Sequence, residues 1–421
     1  MGQRRVQRDS RFQGNIVGFR DSRTCENLKA AAIRILHTAV TYAPSLDGVA
    51  EVVRSISERM AQRGHEVHVA TTGSDSRSGK AELEGVNIHR FNVKGNRTLG
   101  MRGEIDRYRR FVFSGGWDLM VNHCLQAWPT DALLNEIGIY PWPSILVTHG
   151  LSTDNPLFDS YYREITRFIS SYAKWACVSK VCEEFSLAEK CRLPKPAVIR
   201  NGVDAQEWDR PTLSLRRKWG IDRKLWIVNV SNHNPWKDHA NFFRLASRLR
   251  SAGARFTLIG NAYPMAKWEL GRIGIAGGCA YKCRLRTMLA GNAVELKTNL
   301  ERYQVVSAIQ EADVVVSTSK WEANSLVLLE SMAAGTPWVS FDVGSARENT
   351  GGVVVGSLGE MVNVVAELLR DADRRKRLGE LGRARAAAQH DWDSITNQYE
   401  ELYETALREH ACARRQSTKS N

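Results

Sequence analysis

No part of this 421-residue chain runs apolar for the roughly 18 residues that a membrane-spanning helix needs. Residues 1–30 are rich in arginine and hold no apolar segment, which argues against a secretory signal. Val6 stands where a myristoylation motif would need Ser or Thr. A cytoplasmic protein is therefore expected, with a largely disordered basic arm over residues 1–30. Eight cysteines in a chain of this length are too few for a disulfide scaffold. Neither Cys177 with Cys182 nor Cys279 with Cys283 has a second cysteine pair at zinc-binding spacing, so reduced thiols and no metal site are expected. Asp371-Ala372-Asp373 falls in a charged helix and Asp391-Trp392-Asp393 beside a helix start, so no carboxylate pair at a strand end is available for a divalent metal. There is no Gly-x-Ser-x-Gly elbow after a strand, no internal repeat and no low-complexity tract.

What is present describes a globular protein: 43% hydrophobic and 25% charged residues, in a length that calls for two domains. A net charge of +13 and a pI near 9.5 favour anionic partners, whether nucleotides, anionic lipid or nucleic acid. The chain is organised around Ala312–Ser345. There Val314, Val315 and Val316 predict a strand buried on both faces, and Lys320–Asn324 predicts a loop. A helix over Leu326–Ala334 follows, with Ser325 as its cap, Gly335 as its stop and Pro337 beyond. Trp338–Phe341 predicts the next strand. Such a βαβ unit puts its first loop at the carboxyl edge of a parallel sheet, where ligands bind.

Glu322 lies in that loop and Glu330 within the helix. Between them Asn324, Ser325 and Leu326 open the helix, and the first amides of a helix offer N–H groups and partial positive charge to an anion. A diphosphate seated there would bring an attached sugar to Glu322 and a ribose to Glu330, since carboxylates accept hydrogen bonds from hydroxyls. Glu322 through Ser325, then Glu330, Met332, Ala333, Gly335 and Pro337, resembles the donor-sugar motif of retaining GT-B glycosyltransferases, specifically glycosyltransferase family 4. The family's usual Gly-Phe-Gly after the first glutamate is Ala323-Asn324-Ser325 here.

The same resemblance extends in order along the chain. Ile33–Val40, a loop with Gly48, a helix marked by Val49, Val52, Val53, Ile56 and Met60, and the strand Glu66–Thr72 resemble the start of the family's first domain. Strands are expected at Asp118–Asn122, Ser144–Thr148, Trp175–Ser179 and Ala197–Arg200. His149 matches a family position from which a histidine approaches the donor sugar, although a lone histidine at a strand end is as readily structural. Arg200–Asp204 resembles the exit from the first domain, with Asp204 and Glu207 able to form a capping box. In the second domain, Leu225–Val230 and a helix over Ala240–Ser251 flank Lys237, which the resemblance makes the diphosphate-binding lysine. Its arginine partner is replaced by Asn232, so His233 or loop amides would have to compensate. Further strands are expected at Phe256–Ile259 and Val294–Leu296, with a helix over Tyr303–Gln310. Residues 261–292 carry no regular pattern. Gly359–His390 is helical, and Trp392, Tyr399, Leu402 and Tyr403 resemble the final helix that crosses back onto the first domain.

The expected fold is α/β, a GT-B pair of Rossmann-like doubly wound domains facing a cleft. The first domain, over 31–205, would hold the acceptor and the second, over 206–391, the donor, with a final helix over 392–410. The expected activity is retaining transfer from a UDP- or GDP-linked sugar to a glycan, lipid-linked or small-molecule acceptor, with no cofactor and no metal. Lys237, Glu322 and His149 are the catalytic candidates. Glu330, Asn324, Ser325, Leu326, Asn232, His233 and Gly48 are the donor-binding ones. Alternatives are another GT-B activity, an epimerase or a phosphorylase, or a non-catalytic anion-binding protein on a membrane. Lys94–Arg110 is a basic stretch that fits a solvated surface or an acceptor- or membrane-facing one. With only Tyr108 among its arginines it does not favour nucleic acid.

Overall fold

The computed structural model describes residues 32–45, 47–73, 79–153, 155–222, 224–261, 278–289 and 294–419. The basic arm expected over 1–30 lies outside them. Two sheets organise the chain. The first is built from β1 (Arg34–Thr38), β2 (Glu66–Thr72), β3 (Gly79–Leu83), β4 (Val86–Phe91), β7 (Leu119–His123), β8 (Ser144–Val147), β9 (Lys174–Cys177) and β10 (Ala197–Val198); β5 (Val93–Lys94) and β6 (Arg102–Gly103) form a separate two-stranded ribbon. Its order is β10-β9-β8-β7-β1-β2-β4-β3, parallel throughout except for the β3–β4 pair. The second holds β11 (Trp226–Val230), β12 (Arg255–Ile259), β13 (Val294–Lys297), β14 (Val314–Ser317), β15 (Trp338–Phe341) and β16 (Gly352–Val355), all parallel, in the order β13-β12-β11-β14-β15-β16.

Successive side chains of a strand point to opposite faces, so a sheet covered on both sides needs unbroken apolar runs. Ile35 and Leu36 accordingly enter opposite cores of the first sheet, as do Leu119 and Met120. In β14, Val314 and Val316 face one core and Val315 the other. In each sheet the strand order reverses beside the first strand of the domain, between β1 and β7 and between β11 and β14. Crevices form at the carboxyl ends of strands at such switch points.

The last helix, Trp392–Lys419, places Trp392, Ile395, Tyr399 and Tyr403 in a core shared with Ile35, Val67 and Val121 of the first sheet. The chain passes from the second domain to this helix beside its own earlier crossing, where the Val203 amide donates to the His390 carbonyl at 2.6 Å.

Three local expectations are corrected. The helix Gly278–Leu289 lies within the stretch expected to be patternless; its buried face carries Cys283 rather than an aliphatic series, and adjoining glycines hide it. Asp204 caps its short helix through the Gln206 amide without a capping box, because Glu207 turns to Arg302. Ser325 occupies the N-cap position of Leu326–Ala334, but its side chain makes no cap bond.

Candidate active site

Lys237 and Glu322 come from the two loops that flank the β11/β14 switch point. The loop after β11 tightens into a short 3-10 turn, Pro235–Lys237, with the Asn234 carbonyl oxygen Oδ1 accepting from the Trp236 amide. It is stitched to the loop after β14: Thr318 Oγ1 donates to the Lys237 carbonyl at 3.0 Å and the Lys320 amide to the Trp236 carbonyl at 2.7 Å. This framing brings Lys237 Nζ to 2.5 Å from Glu322 Oε1. The backbone of Glu322 is held from the other side by the turn after β15. Gly344 has φ +50°, and a Cβ there would stand 2.1 Å from the Glu322 carbonyl oxygen, so only glycine fits. Ser345 donates its amide to the Ala323 carbonyl, and Asn324 Nδ2 donates to Ser345 Oγ at 2.7 Å.

With no cap from Ser325, the positive end of the helix Leu326–Ala334 faces the same crevice without competition from its own capping side chain. Glu330, one turn deeper, is buried, and Arg302 Nη1 donates to its Oε1 at 2.5 Å while also gripping Glu207. Burial raises the Glu330 carboxyl above its ordinary range, and the Arg302 charge opposes that rise. Arg302 was invisible to sequence reasoning, since it opens a separate helix, Arg302–Glu311, and nothing in its local pattern points to Glu330.

The opposite wall comes from the first domain. A Cβ on Gly48 would stand 3.5 Å from Leu326 Cδ1, which sets the first residue of the helix Gly48–Gln62 against the first residue of Leu326–Ala334. Gly150, at φ +113°, packs so tightly that a Cβ would lie 2.8 Å from Ala323 Cβ and 2.9 Å from Trp321. His149 is thereby carried to the residues flanking Glu322. Asn201 Nδ2 donates to the Asn324 carbonyl at 3.3 Å, a further bond between the walls. Behind His149 stand two more buried imidazoles, His149 Nε2 to His123 Nδ1 at 3.0 Å and His123 Nε2 to His37 Nδ1 at 3.0 Å. Burial pushes His149 down to about 4 and His37 down to about 3, and holds His123 well below the ordinary histidine range. At neutral pH His149 is therefore an uncharged hydrogen-bonding group rather than a cation.

Two donor-binding candidates of the same loop have partners of their own. Asn232 Oδ1 accepts from the Asn261 amide at 3.0 Å, so it fastens β11 to β12's loop. His233 turns its Nδ1 to the helix Gly278–Leu289, 3.9 Å from Cys279 Sγ. Cys279 and Cys283, expected as reduced thiols without a second cysteine pair, stand in one cluster with His233 and His239. The H-x5-H and C-x3-C spacings held that signal; a search for paired cysteine motifs passes over it. In Lys94–Arg110, Arg97 pairs with Glu164, Arg107 with Glu104 and Arg109 with Glu136. Glu104 within the stretch, and Glu164 and Glu136 from outside it, thus offset three of its arginines.

This geometry has relatives. The model of "Glycosyltransferase Family 4" matches residues 46–207 and that of "Glycosyl transferases group 1" matches residues 212–385, so together they span most of the chain. The chain belongs to the group 1, family 4 glycosyltransferases. Among curated relatives of this glycosyltransferase, N-acetyl-alpha-D-glucosaminyl L-malate synthase of Bacillus anthracis is 21% identical, covering 89% of this chain and 98% of the relative. Glycogen synthase of Mycobacterium tuberculosis is 23% identical, covering 89% and 95%. Among solved structures, sucrose-phosphate synthase from Thermosynechococcus elongatus superposes with a TM-score of 0.74 at 15% identity, over 88% of this chain and 98% of its own. The Anabaena protein HepE in complex with UDP-glucose gives 0.71 at 15% identity, over 88% and 99%. At these identities the structural likenesses establish the GT-B fold. Among the described residues no helix is long and apolar enough to cross a membrane.

Proposed function

We propose that this glycosyltransferase moves a sugar from a nucleotide-diphosphate donor to a glycan, lipid-linked or small-molecule acceptor, with retention of anomeric configuration. The observation that carries the reading is the Lys237–Glu322 pair at the switch point, set beside a helix start whose N-cap side chain leaves the first amides to a ligand. The diphosphate sits on Lys237 and those amides. Its sugar reaches toward Glu322 and the neutral His149, and its ribose toward Glu330, whose carboxylate Arg302 orients. The first domain receives the acceptor.

In the reaction the bond from the anomeric carbon to the diphosphate oxygen breaks. The acceptor oxygen attacks from the face the diphosphate leaves, and a phosphate oxygen takes the acceptor proton. Lys237 stabilises the charge that grows on the departing group. Glu322, paired with Lys237, serves as an acceptor for sugar hydroxyls rather than as base or nucleophile. Lysine and helix amides supply the positive field at the diphosphate, so no divalent metal is needed there. The HepE complex with UDP-glucose supports this class of donor. The reaction is placed in the cytoplasm, with Lys94, Arg102 and Arg110 exposed for peripheral contact with an anionic membrane.

A screen of nucleotide sugars by thermal shift tests the reading. A donor present at 100 times its Kd stabilises the folded state by about 2.7 kcal/mol, and a UDP- or GDP-sugar is expected to do so in the wild type and to do so less in Glu330→Ala. Folded protein that no nucleotide sugar stabilises would overturn it.

A further inference from the structure

His233 and His239 bracket the loop that carries Lys237, and Cys279 and Cys283 face them from the helix Gly278–Leu289. His239 is the first residue of the helix His239–Arg248, and the cysteines, four positions apart, share one face of their helix. Their ligand atoms all lie within 4.8 Å of one another. Cys283 Sγ stands 3.5 Å and Cys279 Sγ 3.6 Å from His239 Nδ1, and Cys279 Sγ 3.9 Å from His233 Nδ1. With Zn–S near 2.3 Å and Zn–N near 2.05 Å, the S···N edge of a tetrahedral zinc site is ~3.6 Å. His233, His239 and Cys283 are buried, and Cys279 is partly so.

The hydrogen bonding around His239 sets which of its ring nitrogens faces the sulfurs. Ser231 Oγ donates its single hydrogen to Asn229 Oδ1 at 2.6 Å, so at 2.8 Å from His239 Nε2 it accepts. His239 therefore carries its proton on Nε2, and Nδ1 presents one lone pair toward two sulfurs. Cys279 Sγ also lies 3.9 Å from His233 Nδ1, so a metal ion bound to two thiolates and two imidazoles would engage all four groups at once in place of the long S–H···N contacts. The Ser231 contact is also the kind of outer partner that fixes the tautomer of a metal-binding histidine.

We propose that His233, His239, Cys279 and Cys283 hold one structural zinc ion that ties the helix Gly278–Leu289 to both ends of the Lys237 loop. Two sulfur and two imidazole ligands, with no carboxylate among them, select zinc over magnesium, calcium or manganese. Four protein ligands close the coordination sphere, so the ion takes no part in the chemistry at the donor diphosphate. Both sulfurs bind as thiolates, and any thiol proton still present is released as its Zn–S bond forms. Lys237 lies inside the chelated segment, between His233 and His239, and the ion thus limits how far its loop can move.

The test uses the full chain, purified with reductant, loaded with zinc sulfate and dialysed free of excess. Metal analysis is expected to find one zinc per chain, and replacement by Co(II) to give thiolate-to-cobalt charge transfer with the strong visible bands of a tetrahedral site. The double variant Cys279→Ser/Cys283→Ser should lose the stoichiometric ion and that spectrum, while Cys177→Ser/Cys182→Ser keeps both. Ser231→Ala should weaken zinc binding by about tenfold or more. Wild-type protein that retains no zinc and gives no such cobalt spectrum would overturn the proposal without recourse to any variant. Equal zinc in the Cys279→Ser/Cys283→Ser protein would overturn it as well.

Discussion

Replacing Lys237 with alanine should slow sugar transfer tens- to hundreds-fold while changing donor affinity much less. The Lys237 and Glu322 side chains are only 24% and 14% exposed, so the ammonium acts where water screens it weakly. A unit charge about 4 Å from a phosphate oxygen at an effective dielectric of ~20 is worth at most ~4 kcal/mol. Losing one preorganised donor to a developing anion costs about 2–4 kcal/mol, which is the stated rate range. Because the charge on the leaving diphosphate grows during the reaction, the loss belongs mainly to kcat. The assay compares single-turnover transfer with donor affinity measured separately by titration. A control addresses the alternative that Lys237 merely holds Glu322 in place: in a Glu322→Gln background, Lys237→Ala should still slow transfer. Near-wild-type turnover, or a defect confined to KM, would refute the leaving-group role.

Glu330→Ala should weaken nucleotide-donor binding by about 2–4 kcal/mol, checked by calorimetric titration; unchanged affinity would remove Glu330 from the donor site. Transfer by the zinc-loaded protein should be indifferent to added magnesium or manganese, and a turnover that rises with either ion would place a metal on the diphosphate. The three stacked imidazoles predict acid sensitivity. His149 and His37 stay neutral in the fold down to about 4 and about 3, whereas an unfolded histidine protonates near 6.5. Their contribution is thus intact above pH 6.5 and is lost as pH falls toward 4, at up to ~1.4 kcal/mol per pH unit for each histidine. Denaturant midpoints at pH 7 and pH 5 measure it, and a profile that His37→Gln and His123→Gln leave unchanged would show that the ladder is not the cause. Vesicles containing anionic lipid should bind in a salt-dependent way and oligonucleotides should not; the reverse ranking would point the basic surface at nucleic acid.

The parallel sheets were legible where strands covered on both faces are apolar, as in the valine run at Val314–Ser317 and largely in Trp338–Phe341, whereas Glu66–Thr72, with His68 and two threonines, is legible from its place after the helix stop at Gly64. The sequence does not mark β4 or β16. Asn87, His89 and Arg90 interrupt the first, and the second opens on Gly352. The helix start beside Glu322 was legible, but not that Ser325, a good capping residue by type, makes no cap bond there. The partners of the charged groups were the least legible. Lys237 and Glu322 meet across 85 residues of sequence, Arg302 and Glu330 across 28, and Cys279 and His239 across 40. Sheet topology makes those meetings, and no local period encodes them.

Proton NMR of the first product formed from an α-linked donor distinguishes retaining from inverting transfer by this glycosyltransferase. Attack from the face that the diphosphate leaves, with Glu322 serving only as a hydroxyl acceptor, predicts the small anomeric coupling of an α-linked gluco-configured product. A β-linked first product would contradict the mechanism and would require a general base opposite the leaving group, a role for which Glu322 would have to be reassigned.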